Sequence, residues 1–206
     1  SISFAVYGGF GTTGASNNKV ELDNVTVSGS VYGGNTTSGD ASGNEVSLSN
    51  RTTFSYSLYA GFTGDGDAIG NKLTLTDISQ EIYGIYSSYT KKGQAGGEVK
   101  LTNSQVRYVY GGKTDAGTAN DSKVTGTNSK VGDSVYGGQG TTGASSNTVD
   151  LNNVQVTGSV SGGYTDSGDA SDNAVILSNG TTFTGDLYAG YTENGNATGN
   201  NLTLSG

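Results

Sequence analysis

The chain has no cysteine, histidine, methionine, tryptophan or proline, and several of these absences remove whole classes of chemistry. Without Cys there is no disulfide framework and no thiol nucleophile. Without His there is no imidazole base, and the Cys/His zinc sites go with both residues. Paired carboxylates are the one catalytic device left, and any two turns on neighbouring repeats bring Asp residues close, so no pair stands out. The expectation is a protein that is not an enzyme. Lack of Cys is compatible with an extracellular bacterial protein that does not rely on oxidation. The missing initiator Met points to a processed chain or an excerpt of a longer one.

Charge and oil are also scarce. Only 14% of residues are charged and 32% hydrophobic, while Gly supplies 36 of 206 positions. That is too little apolar material for a thick core, yet 13 Tyr and few charges argue against disorder. A thin, ordered, polar structure is implied. The net charge of −8 disfavours nucleic acid as a partner, because phosphate binding needs a positive surface. No run approaches a membrane span, and the opening Ser-Ile-Ser-Phe-Ala-Val-Tyr-Gly-Gly is too short and uncharged for a signal peptide.

What is there is repetition. Val-Tyr-Gly-Gly recurs with variants at Tyr7, Tyr32, Tyr59, Tyr86, Tyr110, Tyr136, Ser161 and Tyr188, a period of 24 to 27 residues. Residues 1–77 also align without a gap onto 130–206, with about three in five positions identical, so five copies form a duplicated unit of 129 residues. In six copies an Asn precedes an alternating apolar pair, at Asn18, Asn44, Asn71, Asn147, Asn173 and Asn200; Gly97 and Ser122 interrupt that column. Alternation over Val46-Ser-Leu48 or Val25-Thr-Val27 reads as strands with one buried side. Each copy is then three short strands separated by turns rich in Gly, Asn, Asp and Ser.

One copy cannot bury its apolar side alone, but stacked copies place Val on Val and Leu on Leu. The predicted fold is an all-β parallel solenoid over residues 1–206, with about eight coils starting near 7, 32, 59, 86, 110, 136, 161 and 188. At ~4.8 Å per coil it is a rod of roughly 40 Å, in which the Asn column forms an amide ladder.

The segments Tyr32-Gly-Gly, Gly39-Asp-Ala-Ser-Gly-Asn44-Glu-Val-Ser-Leu48 and Gly168-Asp-Ala-Ser-Asp-Asn173 resemble the repeat arrays in passenger regions of bacterial autotransporter adhesins and related giant surface proteins. The resemblance spans the whole chain through a glycine-rich pattern. It implies an extracellular stalk or adhesive surface and carries over no catalytic residues.

Four columns are candidates for function. The Tyr column follows an apolar residue in every copy, so it points outward, either as a sugar-binding wall or as a stack that pins coil register. Three residues on lies a mixed column, Phe10, Asn35, Phe62, Tyr89, Lys113, Gln139, Tyr164 and Tyr191. Beside it Thr36, Thr63, Thr90, Thr114, Thr165 and Thr192 would give an ice-binding face if exposed, or a hydroxyl ladder that satisfies its own turns. The carboxylates at the turns read as solvated Asx turns; the alternative is an occasional Ca²⁺ ion, for which Asp166, Asp169 and Asp172 are the best candidates. Lys91, Lys92, Arg107, Tyr108 and Lys113 form a basic, aromatic band that would recognise an acidic glycan or the acidic end of another copy. Asn-x-Ser/Thr triplets, among them those at Asn24, Asn50 and Asn179, follow from the composition. The functional expectation is a structural and adhesive rod that meets a glycan or a neighbouring cell surface. A subunit joined end to end into a filament, and an ice-binding solenoid, stand as alternatives.

Overall fold

A computed structural model describes residues 1–206. The chain is all β, with no helix, and its parallel strands stack as a solenoid of about eight turns. The face bearing the tyrosines is built from Val6–Gly11, Val31–Thr36, Leu58–Thr63, Ile82–Thr90, Gln105–Thr114, Val135–Gly140, Val160–Ser167 and Leu187–Asn194, each bonded to the next. The register is one coil per step, so like lies on like: Val31 pairs Leu58, Tyr32 pairs Tyr59 and Thr36 pairs Thr63.

The second face carries the alternating runs, from Lys19–Asp23 through Glu45–Ser49, Ala68–Thr76, Ala95–Thr102, Lys123–Thr127, Thr148–Asn152 and Ala174–Ser178 to Asn201–Leu204. A two- or three-residue strand such as Ala41–Ser42 or Gly143–Ser145 precedes most of these. It is separated from the main run by a residue of positive φ, for example Gly43, Ser146 or Asp172, whereas two coils carry one long strand through the bend. The third side is short, as in Thr26–Val27 paired with Thr53–Phe54.

The bend from second face to third is made in seven coils by an Asn or Asp in the left-handed region: Asn24, Asn50, Asp77, Asn103, Asn128, Asn153 and Asn179, at φ 48 to 56°. Short polar side chains tolerate that conformation better than any others with a Cβ. Between the faces lies one narrow apolar cluster of 27 residues, drawn from inward columns such as Val46, Leu73, Val99 and Val124.

The Gly-Gly pair governs how the first face is dressed. Both glycines point inward, so the strand Val31–Thr36 reads in, out, in, in, out, in. A Cβ on Gly34 would stand 2.5 Å from the Asn44 side-chain nitrogen, and one on Gly138 2.6 Å from the Asn147 amide. Glycine is needed here because the amide of the same coil occupies the space a side chain would fill. The doubled inward step sends Tyr32 and Asn35, three apart, to the outside together and turns Thr36 into the core.

Candidate functional site

The asparagine column is a hydrogen-bonded ladder along the inside of the Gly-Gly pairs. Asn44 Nδ2 donates to Asn71 Oδ1 at 2.9 Å and to the Ala15 carbonyl at 2.9 Å. Its own Oδ1 accepts from the Asn18 backbone N–H and Asn18 Nδ2. Asn147, Asn173 and Asn200 repeat the pattern, donating to the carbonyls of Ala119, Ala144 and Ala170. Asn44, Asn71, Asn147 and Asn173 are fully buried; each uses both amide hydrogens, and Asn44, Asn71 and Asn173 also fill both acceptor positions. The Ala three residues ahead of each Asn thus belongs to the ladder: it is a small inward corner whose carbonyl faces the amide of the next coil.

Where the ladder is interrupted, the sequence compensates across the core. At Gly97, which has no side chain, the facing Gly-Gly is replaced by Ser87-Ser88, both buried. Asn71 Nδ2 donates to Ser88 Oγ at 2.9 Å, Ser88 Oγ donates to the Gly96 carbonyl, and Ser87 Oγ donates to the Asn71 carbonyl. The polar atoms have moved from one strand to the other. At Ser122 the backbone N–H alone reaches Asn147 Oδ1, at 3.0 Å.

Outside, Tyr7, Tyr32, Tyr59, Tyr86, Tyr110 and Tyr136 form one continuous stack, with centroids 4.8 to 5.2 Å apart and planes within 12° of parallel. It stops at Ser161, and Tyr188 lies instead against Tyr191. Rings stacked from coil to coil turn their faces toward one another along the rod and their edges and hydroxyls to solvent. The mixed column adds a second, broken stack, Phe62 on Tyr89 at 5.2 Å and Tyr164 on Tyr191 at 5.0 Å, set edge-on to the first. Desolvation within the stack, then the neighbouring tyrosines, pushes Tyr86 up to about 12. Burial likewise raises Tyr32, Tyr59, Tyr110 and Tyr136.

The threonine and aspartate groups follow the turn-satisfying alternatives rather than the ice-binding and Ca²⁺ ones. Thr36, Thr63, Thr90 and Thr165 are buried and Thr114 nearly so; their column bonds inward, as in Thr63 Oγ1 to the Gly39 carbonyl and Thr90 Oγ1 to the Gly66 carbonyl. No hydroxyl rank faces ice there, because the doubled glycine step reverses the side on which Thr falls. Asp166, Asp169 and Asp172 do not converge on an ion, and no cluster of three acidic side chains occurs. Asp169 instead caps a turn by accepting from the Asn196 backbone, and Asp172 takes a positive φ at a corner.

The basic band, finally, is divided across the width of the first face. Arg107 lies between the Tyr83 and Tyr108 rings at 5.4 and 5.5 Å, while Lys113 lies over Tyr110 at 4.8 Å and Tyr86 at 5.9 Å. Lys91 and Lys92 sit in the exposed turn beyond, with Lys92 paired to Asp65 at 2.8 Å. Six residues of strand, about 20 Å, separate Arg107 from Lys113.

Sequence reading passed over the left-handed corners. Asn24, Asn50 and Asn179, noticed there only as glycosylation triplets, belong to that column, and the signal was their recurrence two residues after each Leu of the second face. Comparison with family models, with curated proteins and with solved structures gives no match.

Proposed function

We propose that the chain is an extracellular structural and adhesive element: a rigid rod that presents its tyrosine-bearing face to glycans of a neighbouring surface, in the manner of the autotransporter passenger regions its repeats resemble. The observation that carries the reading is the stack from Tyr7 to Tyr136, six rings that range from exposed Tyr7 to buried Tyr110 at a repeat of about 5 Å. Such a wall offers apolar edges alternating with phenol hydroxyls at fixed intervals. A polyhydroxylated chain meets it through many weak, equivalent contacts, so affinity arises from their number. The stack and the inner amide ladder also hold each coil in register with the next, which gives the stiffness a stalk requires.

The test is binding of the intact chain to immobilised glycans. Tyr→Phe changes keep the stack and remove the hydroxyls. One such change, at Tyr59, is expected to alter binding by less than about twofold, and all six together to abolish it. Retention by the sixfold variant would remove the wall from the mechanism.

A further inference from the structure

The stacked faces of this wall are largely closed to a ligand, since each ring is covered by the next. One place differs. Strand register sets Tyr89, Lys113, Gln139 and Tyr164 on successive coils of one column. Tyr89 is stacked on Phe62 on one side, and Tyr164 on Tyr191 on the other. Between them in that column stand only Lys113 and Gln139, a gap of three coil steps, about 14 Å, with no ring in it; Tyr89 donates its hydroxyl to Asp115 at the edge of this gap. Lys113 is drawn sideways onto Tyr110. A cleft of about 200 Å³ opens here, lined by Lys113, Asp115, Gln139, Thr141 and Asp166 among others.

Gln139 marks the cleft a second way. Its Oε1 is the one buried side-chain polar atom in the molecule without a hydrogen-bond partner, and native structures keep such orphans rarely. An amide of this kind, beside carboxylates, an ammonium and a hydroxyl and next in its column to the Tyr164 ring, is the chemistry that recognises a sugar ring: hydroxyls on the polar groups, C–H groups on the aromatic surface at the rim.

We propose that the break in the second aromatic column at Lys113 and Gln139 is a binding subsite for one residue of a neutral hexose chain, the remainder of which runs along the tyrosine wall. The charge balance sets the class. Lys113 faces two carboxylates, Asp115 and Asp166, so the cleft carries no excess of positive charge for a uronic acid, and carboxylate oxygens are good acceptors for sugar hydroxyls. The inference rests on the glycan-binding role proposed above.

The experiment is calorimetric titration of the intact chain with neutral hexasaccharides (cello-, malto-, manno- and galacto-series), with hexagalacturonate as the acidic counterpart. The decisive variant is Gln139→Tyr, which continues the column of Tyr89 and Tyr164 and fills the gap with the residue type its neighbours already use. It adds aromatic surface to the wall and closes the recess. The expected result is that a neutral hexasaccharide binds the unmodified chain, that Gln139→Tyr and Gln139→Ala each weaken it about tenfold or more, and that Lys72→Gln, exposed on the second face, changes it less than twofold. The alanine variant guards against misfolding of the tyrosine one. Unchanged or tighter binding by both Gln139 variants would overturn the subsite while leaving the wall as the binding surface. A preference for hexagalacturonate that fades with salt would overturn the neutral assignment. Absence of binding to every saccharide would overturn the subsite and the glycan-binding role together.

Discussion

At the scale of the residue, the solenoid depends on a few polar side chains in a very thin core. Replacing Asn44 by Ala leaves the Ala15 carbonyl and both Asn18 donors without their buried partner. Each desolvated group left unpaired costs roughly 1–3 kcal/mol, so Asn44→Ala is expected to lower stability by at least about 2 kcal/mol in urea unfolding. The Ser-for-Gly exchange gives a sharper test. A Cβ at residue 97 would stand 2.4 Å from Ser87 Oγ and 2.6 Å from the Asn71 carbonyl oxygen, so Gly97→Asn alone overpacks the core at a cost of about 1–3 kcal/mol. Combined with Ser87→Gly and Ser88→Gly, which remove the hydroxyl contacts but not the Asn71 carbonyl, the same Asn gains room for its amide, and the triple variant is expected to recover part of that loss. Additive costs across the three changes, measured in a mutant cycle, would show that the two arrangements are not alternatives.

At the scale of the strand, the face with the tyrosines couples stability to alkaline pH. A raised tyrosine pKa means the folded state holds its proton more tightly than the unfolded chain. The stabilisation is complete below the unfolded value of 10.0 and is lost as pH climbs toward the folded value, about 12 for Tyr86. Thermal midpoints are therefore expected to hold up to about pH 10 and fall steeply from there to about 12, with tyrosinate absorbance appearing together with loss of β circular dichroism. Free titration of these rings in a folded chain would place them in solvent. The strands themselves, their stacking and the columns they form were legible in the sequence, because alternation and period are local and repeat eight times. Which side Thr36 faces was not. Alternation predicts the side of a residue only while each step reverses direction, and Gly33-Gly34 takes two inward steps in succession to admit Asn44. Asp166, Asp169 and Asp172 fail as a Ca²⁺ set for a related reason: closeness in sequence at a bend sends side chains in different directions, and a turn hydrogen bond claims Asp169 first.

At the scale of the whole molecule, the duplicated unit is an instruction for length. Residue 130 begins a copy of what starts at residue 1, so the joint between Ser129 and Lys130 shows how one five-coil unit follows another. Gln105–Val106 pairs Lys130–Val131, which pairs Gln155–Val156, with no change of register across that joint. Placing an additional copy of residues 1–129 ahead of the chain is therefore expected to continue every column: Val on Val, the tyrosine stack onto Tyr7 and the third side onto Ile2. Five further coils at ~4.8 Å add about 24 Å to the rod without widening it, a change that small-angle scattering resolves in the cross-section and the maximum dimension separately. Stability should not fall, because each coil interacts only with its neighbours and an added unit brings its own interfaces. The lengthened rod would carry a tyrosine wall nearly twice as long but no second recess, because Phe10 and Thr37 would follow the added Lys113 where Gln139 and Asp166 follow it now. If binding is multivalent along one axis, affinity for a long glycan rises by more than the roughly twofold that the added wall would give as independent sites, while affinity for a hexasaccharide at the single recess stays the same. A rise of no more than twofold for both would mean that the sites act singly, and that the repeated face serves the rod's stiffness alone.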